Sequence, residues 1–290
     1  MKLNNLSVII LTYNEEKNLP QALDSLCDWA NHVFILDSFS TDKTLEIAKR
    51  YNCQIFQNRF ENYAKQRNFA LEKLPIKTEW IFFLDADEWL TKDLKKEILS
   101  LIATYPEDNG FYVKRRFMWM GKWIRRGYYP SLVLRLFRYG KGHCEDRAIN
   151  EHIIVEGKVD HLRHDLIHED RKGITDWITK HNNYATYEAL ELLRQIGEQQ
   201  EIDARFWGTK PERTRWLRYK VWYRLPPLLR PFIYFFYRYI VCGGFLDGRA
   251  AFIYHFLQAL WFQLLIDLKY LELKTTQSQI KTDVSLNGKR

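Results

Sequence analysis

Cysteine is scarce, acid is nearly missing from one long segment, and no long uncharged apolar run occurs. The four cysteines, Cys27, Cys53, Cys144 and Cys242, are scattered over 290 residues without a C-x-x-C pair. That spacing argues against a cysteine zinc site and against a disulfide framework, and it fits a reducing compartment. No signal peptide is expected, because the first apolar run, "LSVIILTY", starts almost at once, is short, and is followed by the charged "NEEK". A spanning helix needs ~20 largely uncharged apolar residues. Phe232–Cys242 is short and carries Arg238, and Ala250–Ile266 is interrupted by His255, Gln258 and Gln263. Internal repeats are absent.

Acid is missing where base is rich. Between Arg205 and Arg238 stand Arg205, Lys210, Arg213, Arg215, Arg218, Lys220, Arg224, Arg230 and Arg238, with Glu212 as the sole acid. This block accounts for the formal charge of +8 and suits an anionic surface, either lipid or nucleic acid. The apolar, aromatic character that continues after Pro226 favours lipid, because it would have no role on a soluble nucleic-acid surface. A helix lying in the interface is the expectation, with Tyr and Trp at headgroup depth. An aromatic helical domain packed on itself, or a homodimer interface, is the alternative.

The first hundred residues alternate strand and helix patterns, which predicts an α/β fold with a parallel sheet flanked by helices. Strands are expected at Ser7–Thr12, His32–Asp37, Cys53–Gln57 and Trp80–Asp85. Leu19, Ala22, Leu23 and Leu26 fall at helical spacing, as Tyr63, Ala70, Leu71 and Leu74 do less regularly. Ser40 and Thr41 are the expected N-cap of the helix in "DKTLEIAKRY". From Gly110 to about Val159, "GFYVKRRF" and "LVLRLFR" predict an antiparallel extension of the sheet, and a helix is expected over about 174–196.

In such sheets ligands collect at the carboxyl ends of strands. The stretch "WIFFLDADEWL" puts Asp85, Asp87 and Glu88 at the end of a run apolar enough for burial on both faces. Like charges so close repel unless a cation lies between them, and a divalent metal is one answer. An ordinary acidic turn is the other.

Three segments taken together, "SVIILTYNEEKNLPQALDSL", "ILDSFSTDKT" and "FLDADEWL", resemble the nucleotide-binding half of the inverting family 2 glycosyltransferases, which have the GT-A fold. The later "YPSLVLRLFR", "INEH" and "GGFLDGRAAFIYHFLQALW" are similar to a bacterial subgroup that includes lipopolysaccharide-core glucosyltransferases. The resemblance implies a GT-A type mixed sheet with a helical membrane-associated C-terminal region. The expected division is a catalytic domain over 1–200, with a nucleotide-binding half over about 1–120 and an acceptor half over about 121–200, then by composition a basic aromatic region over 201–275 and a polar, flexible tail over 276–290. It implies a nucleotide-sugar donor, UDP being the commoner partner of these motifs, and a Mg2+ or Mn2+ cofactor. The acceptor would be lipid-linked or a glycolipid at the cytoplasmic face of a bacterial inner membrane, with no role for nucleic acid.

Residue by residue, the resemblance makes Asp87 the direct metal ligand and Asp85 a contact to the ribose or to the metal through water, with His168 completing the metal shell. Asp37 matches the aspartate that accepts from the nucleotide base, Thr12 and Glu15 line the same pocket, and Arg67 matches an arginine near the nucleotide. Inverting transfer needs a general base for the acceptor hydroxyl. Glu151 is the first candidate and Asp146 the rival; Asn150 stands where the subgroup commonly has histidine. A polyprenyl-phosphate sugar synthase, which needs no such base, and a non-catalytic nucleotide-binding membrane module are the competing readings.

Overall fold

The computed structural model describes residues 3–104, 106–145, 152–194, 207, 212–213, 216–217 and 220–287. The chain divides into two compact units, Met1–Ile174 and Thr175–Arg290.

The first unit is built on a mixed sheet. Its strands are β1 (Leu3–Thr12), β2 (Ala30–Asp37), β3 (Gln54–Gln57), β4 (Trp80–Asp85), β5 (Glu88–Leu90), β6 (Gly110–Trp119), β7 (Lys122–Trp123), β8 (Ser131–Arg138) and β11 (Val159–His168), while β9 (Gly142–Cys144) pairs with β10 (Ile153–Val155) apart from it. The order across the sheet is β3-β2-β1-β4-β8-β6-β11-β5, with β7 paired to β6. The β3-β2-β1-β4 half is parallel, as the alternating pattern predicts. The extension is antiparallel from β4 to β8 and from β8 to β6. Contrary to a purely antiparallel extension, β11 then runs parallel to β6. It also extends strand structure nine residues beyond the expected limit at Val159.

Burial explains the composition of β4. Trp80, Phe82 and Leu84 enter one core, with Leu19, Ala22, Leu23 and Leu26, while Ile81 and Phe83 enter the core on the other face. A strand covered on both sides has no use for alternation, so it reads as a continuous apolar run. The first core is roofed by α1 (Leu19–Asp24), α2 (Thr44–Arg50) and α4 (Lys92–Ala103), and the second by α3 (Tyr63–Lys73). The Thr91 hydroxyl caps α4 by accepting from Leu94 N at 3.2 Å, and Asn62 caps α3 by accepting from Lys65 N at 2.8 Å.

The expected cap of α2 is corrected. The helix begins at Thr44, whose N–H donates to Asp42 Oδ1 at 3.0 Å, and Ser40 turns inward to other partners.

The second unit holds α5 (Ile174–Arg194), α6 (Arg230–Phe236), α7 (Gly248–His255) and α8 (Phe262–Asn287), with π-helical turns at Tyr237–Val241 and Phe256–Trp261. Ala185 of α5 packs on Phe262 and Ile266 of α8 within the second unit. The buried Arg230 guanidinium holds the buried Asp267 carboxylate, with Nε 2.9 Å from Oδ1, and Leu228 N donates to Oδ2 at 2.8 Å. Helix α8 runs on to Asn287, into the segment expected as a tail.

Candidate active site

Strand register brings the predicted residues level. Thr12 at the end of β1 lies opposite Asp37 on β2, and Leu11 lies opposite Asp85 on β4. Thr12, Asp37 and Asp85 therefore sit at the carboxyl ends of three adjacent parallel strands, where open α/β sheets gather ligands.

Asp37 is fully buried and organises the loops around it. Its Oδ1 accepts from the Thr12 hydroxyl at 2.9 Å and from the Ser40 hydroxyl, and its Oδ2 accepts from Ser40 N at 2.9 Å and Gln57 Nε2 at 3.2 Å. The loop after β1 is joined to this turn. Asn14 adopts a left-handed φ of 53°, which asparagine tolerates better than most residues, and its Oδ1 accepts from Thr41 N at 2.8 Å. Asn14 N donates to the Ser40 hydroxyl at 2.9 Å, and Glu15 N to the Thr44 hydroxyl at 2.7 Å.

The carboxylates of "LDADEWL" separate into two groups. Asp85 and the buried Glu88 face arginines: Arg135 Nη1 is 3.2 Å from Asp85 Oδ1 and its Nη2 is 2.7 Å from Glu88 Oε1. Arg67 Nη2 adds a contact of 3.3 Å to Asp85, and Arg115 Nη1 one of 3.5 Å to Glu88. Withdrawal from water would raise the Asp85 carboxyl, but the Arg135 and Arg67 guanidiniums outweigh it and hold it well below the usual range. For Glu88 burial wins, and its carboxyl is pushed up.

Asp87 points elsewhere. Its Oδ1 lies 3.4 Å from His168 Nδ1, a buried ring nitrogen with no hydrogen-bond partner among the described residues. His168 is the last residue of β11, and Glu169 N beyond it donates to Asp87 O at 2.9 Å. An imidazole nitrogen and a carboxylate oxygen facing each other are a donor set that would suit a divalent cation. Asp85, predicted as a further ligand, is engaged by Arg135 and Arg67, and no cluster of three acidic, histidine or cysteine ligands forms among the described residues.

Glu15 is also in place. Burial pushes its carboxyl up; the Lys172 ammonium, 2.5 Å from Oε1, offsets part of this, and the nearby Asp87 charge adds to it. The candidate bases Asp146 and Glu151 lie outside the described residues. Their described flanks meet, Glu145 N donating to His152 O at 2.9 Å, and Asn68 of α3 holds the neighbouring Cys144 through bonds of 2.7 and 2.8 Å.

Sequence reasoning missed Arg135, Arg115 and Lys172. "LVLRLFR" showed Arg135 within an apolar strand, where an unpaired charge is costly, and that was a signal that an acid must face it. Which acid depends on the β4–β8 pairing.

The family described as Glycosyl transferase family 2 matches residues 7–152. The lipopolysaccharide core biosynthesis glycosyltransferase LpsC of Rhizobium meliloti (strain 1021) is 32% identical over 268 residues, 88% of this chain and 90% of that one. The uncharacterized glycosyltransferase RP128 of Rickettsia prowazekii (strain Madrid E) is 25% identical over 98% of this chain and 93% of its own. Among solved structures, the mannosyltransferase PcManGT from Pyrobaculum calidifontis, in complex with GDP-Man and Mn2+, superposes with a TM-score of 0.51 at 14% identity, covering 92% of this chain and 87% of that one, a likeness of fold. A profile matching half the chain and a relative alike over most of its length agree with the strand-end constellation: the chain belongs to glycosyltransferase family 2 and is a glycosyltransferase with an α/β fold of the GT-A type.

Proposed function

We propose that the protein is a metal-dependent, inverting glycosyltransferase that moves a sugar from a UDP-linked donor to a lipid-linked acceptor of the lipopolysaccharide type, at the cytoplasmic face of a bacterial inner membrane. The observation that carries this reading is the level placement of Thr12, Asp37 and Asp85 on adjacent strand ends. The acceptor class is supported by the likeness to the lipopolysaccharide core biosynthesis glycosyltransferase of Rhizobium.

Asp87 and His168 would hold a divalent cation, which supplies Lewis-acid stabilisation of the departing diphosphate. The chain's own residues do the rest. Thr12, Asp37 and Ser40 fix the loop that lines the nucleoside, and Asp37 keeps that loop closed through its internal bonds. Arg67 and Arg135 hold Asp85 ionised and oriented at the end of β4, toward ribose or a metal-bound water. Glu151, with Asp146 as the rival, takes the proton from the acceptor hydroxyl as its oxygen bonds to the anomeric carbon. The bond from that carbon to the diphosphate oxygen breaks on the opposite face, and its electron pair leaves with the nucleotide.

The second unit supports attachment to a membrane. Phe232, Phe236, Ile240, Val241, Phe245 and Leu246 are all exposed, an apolar surface that water does not favour. Within the helical run Gly244–Thr276 an 18-residue stretch has a mean hydropathy of 1.3, and by length and composition the run could cross a membrane. The exposed face on α6 and the following turn favours a segment lying in one leaflet.

The test is a transfer assay on detergent-solubilised protein with a panel of UDP- and GDP-sugars and truncated lipopolysaccharide-core lipids, in Mn2+ and in EDTA. Transfer confined to a UDP-sugar and a lipid acceptor, lost in EDTA and in Asp87→Ala, supports the reading. Transfer to a polyprenyl phosphate that survives Glu151→Gln would replace it with the synthase reading, and turnover indifferent to EDTA would remove the metal.

A further inference from the structure

After β11 the chain does not leave the site. The strap Glu169–Gly173 runs back along the loop that follows β1, and a series of hydrogen bonds ties it down. Glu169 N donates to Asp87 O at 2.9 Å. Asn18 Nδ2 donates to Asp170 Oδ1 at 3.1 Å, and Arg171 N to Asn18 Oδ1 at 2.8 Å. Lys17 Nζ donates to Lys172 O at 3.2 Å, and Lys172 Nζ reaches Glu15 Oε1 at 2.5 Å and Tyr13 O at 3.4 Å. Lys172 N bonds Asp170 Oδ1 at 3.0 Å, making a local turn, and Gly173 closes the strap at a left-handed φ of 102° with open space around it. The strap thus joins the "TYNEE" loop to the "DADE" turn, the two segments that flank the strand-end constellation.

The charges there are unevenly committed. Arg67 and Arg135 face Asp85, and Arg115 and Arg135 face Glu88, so these guanidiniums neutralise carboxylates of the protein itself. A nucleoside diphosphate brings further negative charge beside Asp87 and Glu15. Lys172 is the strap's cation on the Glu15 side, and its side chain is 22% exposed. An ammonium on a flexible stem has three rotatable donors, so it can turn from a carboxylate to a phosphate oxygen without moving the backbone. Arginine held in a fork between two acids cannot.

We propose that the strap Glu169–Gly173 is a wall of the donor pocket and that Lys172 binds the diphosphate of the donor, exchanging Glu15 for a phosphate oxygen. The proposal rests on the nucleotide-sugar reading above. It makes Lys172 a binding residue for donor and leaving group, and it gives the Lys172–Glu15 pair a purpose in the donor-free protein, where it keeps the ammonium at the pocket edge.

The experiment measures binding of UDP by calorimetry and of uridine by ligand-observed NMR, both in saturating Mn2+, on the full chain, Lys172→Ala and Lys172→Arg, with the unfolding temperature of each. The expected result is a loss of about tenfold in UDP affinity for Lys172→Ala, from one charge-assisted bond, with uridine unaffected and Lys172→Arg close to the unaltered chain. Equal weakening of UDP and uridine, or no change for UDP, overturns the proposal and makes Lys172 a purely structural latch. If Lys172→Ala does not fold, Lys172→Met keeps the apolar stem and carries the same comparison. Should the unaltered chain bind UDP and only the variants fail to discriminate, this inference alone falls; should it bind neither UDP nor GDP, the donor assignment falls with it.

Discussion

Arg135, on β8, reaches across to Asp85 at the end of β4, its Nη1 3.2 Å from Oδ1, and the same guanidinium holds Glu88. Arginine thus faces two of the three carboxylates after the apolar run, and Asp87 is turned toward the His168 imidazole.

Replacing Arg135 by Met leaves the buried Glu88 and the partly exposed Asp85 without their shared cation. Breaking one side of a buried ion pair costs about 3–5 kcal/mol, so urea unfolding should show a loss of that order. Adding Glu88→Gln to Arg135→Met should recover part of it. A double variant as unstable as the single one would mean that the Arg135–Glu88 contact carries none of the effect.

His168→Gln removes the ring nitrogen that faces Asp87. Loss of a metal-site partner typically costs ~10–100-fold in metal affinity, so the Mn2+ concentration for half-maximal transfer should rise by about that factor while UDP affinity at saturating Mn2+ holds. An unchanged Mn2+ titration would show that His168 is structural, with Phe117, 4.9 Å from its ring, as its main neighbour.

Glu97 gives a pH dependence of known sign. Burial would raise its carboxyl, but the N–H groups of Arg163 and His164, at 2.8 and 3.0 Å, and the His164 ring together hold it below the usual range. A carboxyl with a depressed folded pKa contributes stability that is present above its unfolded value and lost as pH falls through the folded one. Glu97→Gln should therefore lower the unfolding temperature at neutral pH, and the difference from the unaltered chain should close by about pH 3. A difference that persists in acid would point to packing.

Phe245 and Leu246 are 47% and 60% exposed in the second unit. A carboxylate placed in a lipid-facing position costs up to ~3 kcal/mol, so Phe245→Asp with Leu246→Asp should greatly reduce sedimentation with vesicles of anionic lipid. UDP binding should survive. Undiminished vesicle binding would show that this turn does not meet lipid.

Much of the molecule was legible from the chain alone. The four parallel strands follow from short apolar runs bounded by turn residues, and α5 from its helical spacing, because these depend on neighbours in sequence. The placement of Asp37, Asp85 and Asp87 at or just after strand ends was legible in the same way, since strand-end placement is a local property. Helix α4 was not anticipated, and β11 was missed because "VDHLRHDLIH" is polar at alternate and consecutive positions alike, being buried only in part along its length.

What the sequence determined is the family, the strand ends and the residue types waiting there. What tertiary structure decided is which charge meets which. Arg135 lies 50 residues from Asp85, and Lys172 lies 157 residues from Glu15. Those pairs exist because β8 lies antiparallel beside β4 and because the chain after β11 turns back on the first loop. Residue spacing carries no record of such neighbours, since Coulombic attraction acts between side chains that only strand pairing and sheet order bring together.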